Sequence, residues 1–296
     1  MGYRNKVMHR FKRLRPSRVS RCSAFLAVVL LLAGDGAWGT GAPFPTYRAP
    51  HTSVRLFTGG LAEFAGDTQR AVGIEISLEP GWKTYWRSPG EGIAPSFSWD
   101  ESSNLKAAKV LWPAPTRFSD GESTSIGYKE RVVLPVLITP EDPAKPVSLS
   151  LAMAYGICKD ICMPVEAELS LDLDAPVRKT DREEMIRVLS SVPRKQGPDI
   201  SCPHRFLSAK LVRLGEKPAL RVETSFDGDA LERDLMTEAP EEIHLASPTL
   251  DPKSGPGRAA YLLPADPESA PALQGTTITV TTVAKQGSCE TTTRVE

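Results

Sequence analysis

Residues 147–173 read V-S-L-S-L-A-M-A-Y-G-I-C-K-D-I-C-M-P-V-E-A-E-L-S-L-D-L. On the incoming side Val147, Leu149, Leu151, Met153 and Tyr155 alternate with Ser148, Ser150, Ala152 and Ala154; on the outgoing side Val165, Ala167, Leu169, Leu171 and Leu173 alternate with Glu166, Glu168, Ser170 and Asp172. This is a period of two, twice over, as expected of an antiparallel pair with one face in a core and one in water. Gly156, Cys158, Cys162 and Pro164 lie between the runs, which puts the cysteines in the connection and outside the ladder.

The connection has a geometric requirement. Left extended, four steps of about 3.3 Å would hold the two cysteines roughly 13 Å apart, whereas a disulfide needs Cα atoms about 4.4–6.8 Å apart. Only a turn lets them bond. Gly156 on entry and Pro164 on exit favour one. So small a ring removes little entropy from the unfolded chain and makes a poor staple, so the pair reads as a bond made and broken at low structural cost.

Upstream, residues 71–78 carry Val72, Ile74, Ile76 and Leu78 on one face, and residues 132–138 carry Val132, Leu134, Val136 and Ile138. Turn-rich segments separate such runs: E-P-G-W (79–82), S-P-G-E-G (88–92) and W-P-A-P (112–115). Short strands punctuated by Gly and Pro, with almost no helical periodicity, predict an all-β sandwich. Most of Trp82, Tyr85, Trp86, Phe97, Trp99, Trp112 and Phe118 are expected to fill its core, while Phe118 and Tyr128 flank a polar Gly/Ser loop and are candidates to cover a site.

Downstream, residues 180–192 read as a helix. Thr180 and Glu183 form a capping box, Met185, Ile186, Leu189 and Val192 a stripe, and Pro193 the stop. R-K-Q-G-P (194–198) reads as a linker, and β patterning resumes at 211–214, 219–222, 243–245, 261–263 and 276–283. A second, smaller sandwich over 200–296 follows, with Cys202 near its start and Cys289 near its end. Pairing them closes a long loop, worth roughly 4–5 kcal/mol in the chain-entropy model, and the alternatives are free thiols or an intermolecular bond.

At the amino terminus, eight basic residues from Arg4 to Arg21 precede ten apolar residues (24–33) and the small-residue site Ala37-Trp38-Gly39. Ten apolar residues cannot cross a hydrocarbon core that needs about 20, so 1–39 reads as a cleaved export signal. Removing eight basic residues and Asp35 from 36 of each sign leaves 28 against 35, a net charge of about −7. That gives no electrostatic case for nucleic acid or anionic lipid. Cys22 leaves with the signal, and four cysteines remain, an even number suited to an oxidising compartment.

P-G-W-K-T-Y-W-R-S-P-G-E-G-I-A-P-S-F-S-W (80–99), W-P-A-P-T-R-F (112–118), G-Y-K-E-R-V-V-L-P-V (127–136) and Y-G-I-C-K-D-I-C-M-P-V-E-A (155–167) together resemble the amino-terminal periplasmic domain of DsbD and ScsB type thiol:disulfide interchange proteins. The resemblance spans about residues 47–175 and implies an immunoglobulin-like sandwich, followed here by the helix and linker (180–198). It implies Cys158 and Cys162 as the redox pair, Cys162 exchanging and Cys158 resolving. It also implies a cap loop at about 117–128, with Phe118 the best candidate. Tyr128, which flanks that loop, and Tyr155, close to the cysteines in sequence, are further candidates to shield the pair by their position. Tyr155 equally suits the end of its strand's apolar face. Full-length reductases add membrane and thioredoxin-like domains not seen in this sequence, so the expected electron donor is a separate membrane-embedded thiol reductase. The expected clients are periplasmic thioredoxin-like or disulfide-bonded proteins, in the areas of cytochrome c biogenesis, disulfide isomerisation or copper tolerance.

Such exchange needs no metal or organic cofactor: a thiolate attacks a disulfide, a mixed disulfide forms, and a second thiol resolves it. Lys159 favours a thiolate and Asp160 opposes it. Two rival readings use the same residues. Cys158 and Cys162 with Met153 and Met163 are soft ligands of the kind Cu(I) prefers. Alternatively, the sandwich is a non-catalytic interaction module with an inert clip.

Overall fold

Strands with every second residue apolar must bury that face. In the computed structural model, which describes residues 45–120, 123–226 and 233–296, they do so by stacking sheets in pairs. The expected export signal lies outside the described residues. The first pair of sheets is built from β1 (Thr46–Ala49), β2 (Thr52–Phe64), β3 (Asp67–Leu78), β4 (Lys83–Gly90), β5 (Ser96–Ser98), β6 (Leu105–Val110), β7 (Thr116–Asp120), β8 (Ser123–Lys129), β9 (Arg131–Pro140), β10 (Ser148–Cys158) and β11 (Cys162–Asp172). One sheet has the order β1-β2-β3-β9-β6, the other β11-β10-β4-β8-β7, with β5 added beside β10. The expected alternation holds: Val72, Ile74 and Ile76 on β3 and Val132, Leu134, Val136 and Ile138 on β9 face Leu149, Leu151, Met153 and Tyr155 on β10 across one core.

α1 (Lys179–Leu189) lies on the outer face of the five-stranded sheet, with Met185, Val188 and Leu189 against Phe57, Val133 and Leu137. Two expectations for it fail. Its N-cap is Arg178, which makes no side-chain cap bond, so the Thr180/Glu183 capping box does not form. Asp181 in the first turn instead takes Arg178 Nε at 2.7 Å and Arg55 Nη1 at 2.9 Å, and these ion pairs fix the entry of the helix. Ile186 is 64 % exposed, and Val188 takes the buried place expected for it.

The second pair of sheets comprises β12 (Arg194–Lys195), β13 (His204–Leu214), β14 (Lys217–Phe226), β15 (Arg233–Glu238), β16 (Thr249–Leu250), β17 (Arg258–Pro264), α2 (Ala270–Leu273), β18 (Thr277–Ala284) and β19 (Gly287–Arg294). The sheet orders are β12-β19-β18-β15 and β13-β14-β17-β16. The expected linker is therefore partly a strand, since Arg194 and Lys195 pair in parallel with Cys289 and Glu290. Residues 243–245 form no strand; Leu245 makes one isolated bridge to Ala265. Cys202 and Cys289 are bonded, with Cα atoms 5.9 Å apart. β15 has no alternation because it is buried on both sides: Leu235 enters the second core and Met236 the first.

Candidate functional site

The ladder of β10 with β11 runs rung by rung from Ser148↔Asp172 to Cys158↔Cys162. Its last rung is the pair of cysteines, which are bonded with Cα atoms 4.1 Å apart. This corrects the expectation that they lie outside the ladder: the turn is only Lys159, Asp160 and Ile161, and Gly156 faces Pro164 inside the strands. Proline is tolerated there because β11 is an edge strand.

Strand periodicity then sorts every nearby side chain. Tyr155 and Ile157 point into the core, so Gly156 and Cys158 face outward, and Cys162, opposite Cys158, shares that outer face. Lys83 on β4 is the rung partner of Cys158, and Lys129 on β8 is the rung partner of Lys83. Phe118 on β7 pairs with Ser125, two residues along β8 from Gly127, which keeps it on the same face. The outer face at this end of the sheet therefore carries, from edge to edge, Cys162, Cys158, Lys83, Lys129 and Phe118. The two ammonium groups lie 5.7 and 4.9 Å from the centroid of the Phe118 ring.

The aromatic group on the sulfurs is one that strand reading assigned to the core. Tyr85 Oη lies 3.3 Å from Cys162 Sγ. Its ring fills the space over Gly156, where a Cβ would come within 3.0 Å of the ring and 2.8 Å of Ile93. On the far side it abuts Gly92, where a Cβ would fall 2.3 Å from the ring. The function of Gly156 is thus close approach, not a bend. Residues 91–95 leave β4 and arch over this face before β5 returns beside β10, and they provide the local cover. The signal was present in P-G-W-K-T-Y-W: Trp82, Thr84 and Trp86 are buried core positions, which leaves Lys83 and Tyr85 for the outside.

The expected cap is rearranged accordingly. Of residues 117–128, 117–120 and 123–128 are paired in β7 and β8, and 121–122 lie outside the described residues. Tyr128 lies on the inner face, its hydroxyl donating to Pro113 O at 2.8 Å. Tyr155 is fully buried and its hydroxyl meets Thr52 Oγ1 at 2.9 Å on the opposite sheet. Burial pushes the Tyr128 phenol well up and that of Tyr155 up to about 12, so both stay neutral. Neither can shield sulfurs that stand on the other side of the sheet. Met153 and Met163 also share the inner side and pack on the core, so the register keeps both thioethers away from the thiols that a copper site would need.

The two sulfurs differ in access. Cys158 is 8 % exposed, whereas Cys162 is an exposed residue next to Ile161, which is 64 % exposed. Lys159 folds back on the β3–β4 turn, where a Cβ on Gly81 would lie 3.1 Å from its Cε. An exposed sulfur bonded to a covered one at the end of the ladder is suited to attack from outside at Cys162 and resolution from inside by Cys158.

Residues 60–174 match the family described as thiol:disulfide interchange protein DsbD, N-terminal, which bears out the resemblance carried by the four segments. No curated protein matches the chain. Among solved structures, the crystal structure of the N-terminal periplasmic domain of ScsB from Proteus mirabilis is similar, with a TM-score of 0.67 at 20 % identity over 85 % of this chain and 97 % of that one. The shared fold therefore runs beyond residue 174 into the second sandwich. No helix among the described residues is long and apolar enough to cross a membrane.

Proposed function

We propose that this chain, whose residues 60–174 match the DsbD N-terminal family, is a periplasmic thiol:disulfide interchange protein that relays electrons through Cys158 and Cys162. The observation that carries the reading is the asymmetric rung: a covered Cys158 bonded to an exposed Cys162 that also touches the Tyr85 hydroxyl. In this reading the domain at 47–175 is the redox module, and residues 200–296 are a second domain held to it.

The reaction is symmetrical in form. A reduced dithiol donor, taken to be a membrane-embedded reductase, attacks Cys162 Sγ and breaks the Cys158–Cys162 bond. Its second thiol then displaces Cys162, leaving the donor oxidised and the pair reduced. Towards a client the order reverses: the Cys162 thiolate attacks the client disulfide, and Cys158 attacks Cys162 Sγ to expel the second client thiolate. Two electrons leave the pair and two protons follow to the client. The Tyr85 ring and residues 91–95 serve as the cap in this scheme, while Phe118, at the other edge of the face, covers the two lysines.

Trapping tests the proposal. Cys158→Ser removes the resolving thiol, so mixed disulfides at Cys162 should accumulate and yield partner proteins on non-reducing gels. Cys162→Ser should capture far fewer. Equal, empty capture by both variants, or a potential below about −300 mV in the range of structural disulfides, overturns the relay.

A further inference from the structure

Of the cations near the disulfide, Lys83 is distinguished by both register and burial. It stands directly across the ladder from Cys158, a relationship that places Cβ atoms about 4.5–5.5 Å apart on one face. It is only 8 % exposed. Lys129, Lys159, Asp160, Glu91 and Glu166 are the other charged groups around this face, on β8, the turn, the arch and β11, and all are exposed. Water and salt screen those charges, whereas a buried ammonium acts through a medium of lower dielectric. Holding a cation there costs desolvation, and the Phe118 face offsets part of it.

We propose that Lys83 is the positioning residue of the resolving thiol: its ammonium stabilises the Cys158 thiolate that attacks Cys162 Sγ. The proposal rests on the relay reading and adds to it the reason why a covered sulfur is ready to react. Burial alone disfavours a thiolate, and an adjacent fixed cation reverses that preference. In the oxidised pair the sulfur carries no charge, so the ammonium acts only once the bond has opened.

The test uses the reduced full-length protein and dithiobisnitrobenzoate. Cys162 attacks the probe and releases one aryl thiolate; Cys158 then attacks Cys162 Sγ, closes the intramolecular bond and releases the second. Lys83→Met should slow the second release about tenfold near neutral pH, the effect of one unit in thiol pKa, and leave the first nearly unchanged. The difference should vanish at alkaline pH, where Cys158 ionises without help. Lys83→Arg should restore the rate, and Lys129→Met should leave it within about twofold because its charge is screened. Lys83→Gln repeats the measurement should the methionine variant fail to fold. Two normal phases in Lys83→Met, or equal slowing by Lys129→Met, overturn the proposal while the relay stands. Absence of a second phase in the wild-type protein defeats the relay itself.

Discussion

Arg87 on β4 and Glu238 on β15 meet through two hydrogen bonds, Nε to Oε1 at 2.9 Å and Nη2 to Oε2 at 2.7 Å, and so join the sheet that carries the cysteines to the second sandwich. Glu290 on β19 binds the same guanidinium. Burial disfavours the charge on Arg87, but the two carboxylates outweigh it and hold its pKa above the ordinary value. Arg117 on β7 adds a second tie, to Asp234 and to Leu235 O. Arg87→Met should cost about 2–3 kcal/mol, below the value for a fully buried pair because the groups are about a quarter exposed. Urea denaturation measures it; an unchanged midpoint would show that the joint is held by Met236 and its apolar neighbours alone.

The Tyr85 hydroxyl and ring can be separated by mutation. Tyr85→Phe keeps the packing on Gly156 and Gly92 but removes the group 3.3 Å from Cys162 Sγ. A thiolate that loses a hydrogen bond worth about 1 kcal/mol should titrate roughly half to one unit higher, with stability nearly unchanged. Gly156→Ala should displace ring and hydroxyl together, giving the same titration change plus a stability loss of about 1–3 kcal/mol from overpacking. Thiolate absorbance in a Cys158→Ala background reads the first effect and denaturation the second. Identical thiol titration in all three proteins would remove Tyr85 from the chemistry.

The two disulfides should differ in what they hold. Cys158 and Cys162 are 4 residues apart in sequence, whereas Cys202 and Cys289 are 87 apart. Chain entropy assigns about 2 kcal/mol to the small ring and roughly 4–5 kcal/mol to the large one. Replacing each pair with serine and comparing denaturation midpoints should therefore leave the first variant the more stable by about 2–3 kcal/mol. The reverse order would make the hairpin bond a staple and weaken the case for its cycling.

The hairpin, the core alternation and the cysteine pair were legible because each depends on a local period or on spacing within one turn. Residues 71–78 and 132–138 have one buried face, and the pattern names it. β15 was not legible, since Leu235 and Met236 serve different cores and no single-faced period survives. Tyr85 was missed for a related reason: among the aromatics of residues 80–99 it looks like further core, and its alternation with Trp82, Thr84 and Trp86 becomes decisive only with the register Cys158↔Lys83. Phe118, expected as the cap, shares the outer face but sits at its far edge over the lysines. Tyr128 was misplaced because proximity in sequence to a loop does not say which side of a sheet a residue occupies; for Tyr155 the reading as the end of its strand's apolar face is the one that holds.

His204 should make the second sandwich acid-sensitive. It is 1 % exposed, with Nε2 at 2.9 Å from Thr224 Oγ1 and Nδ1 at 3.3 Å from Val283 O. Burial is the main cause that pulls its pKa down to about 4, with nearby Arg233 adding to the effect against Val283 O and Asp234. In the unfolded chain the ring titrates near 6.5, so above that pH neither state binds the proton and the full stability is present. As pH falls from about 6.5 towards 4, the unfolded chain takes up a proton that the folded chain refuses, and up to about 3 kcal/mol is lost. Glu75 and Glu184, held below the ordinary carboxylate value by their arginine partners against the cost of burial, lose their contribution only at lower pH. Between about pH 6.5 and 5 the histidine should therefore set the slope, giving a drop of about 2 kcal/mol in urea denaturation. His204→Gln should flatten that slope while lowering stability at neutral pH. An equal slope in the variant would place the acid sensitivity elsewhere in the chain.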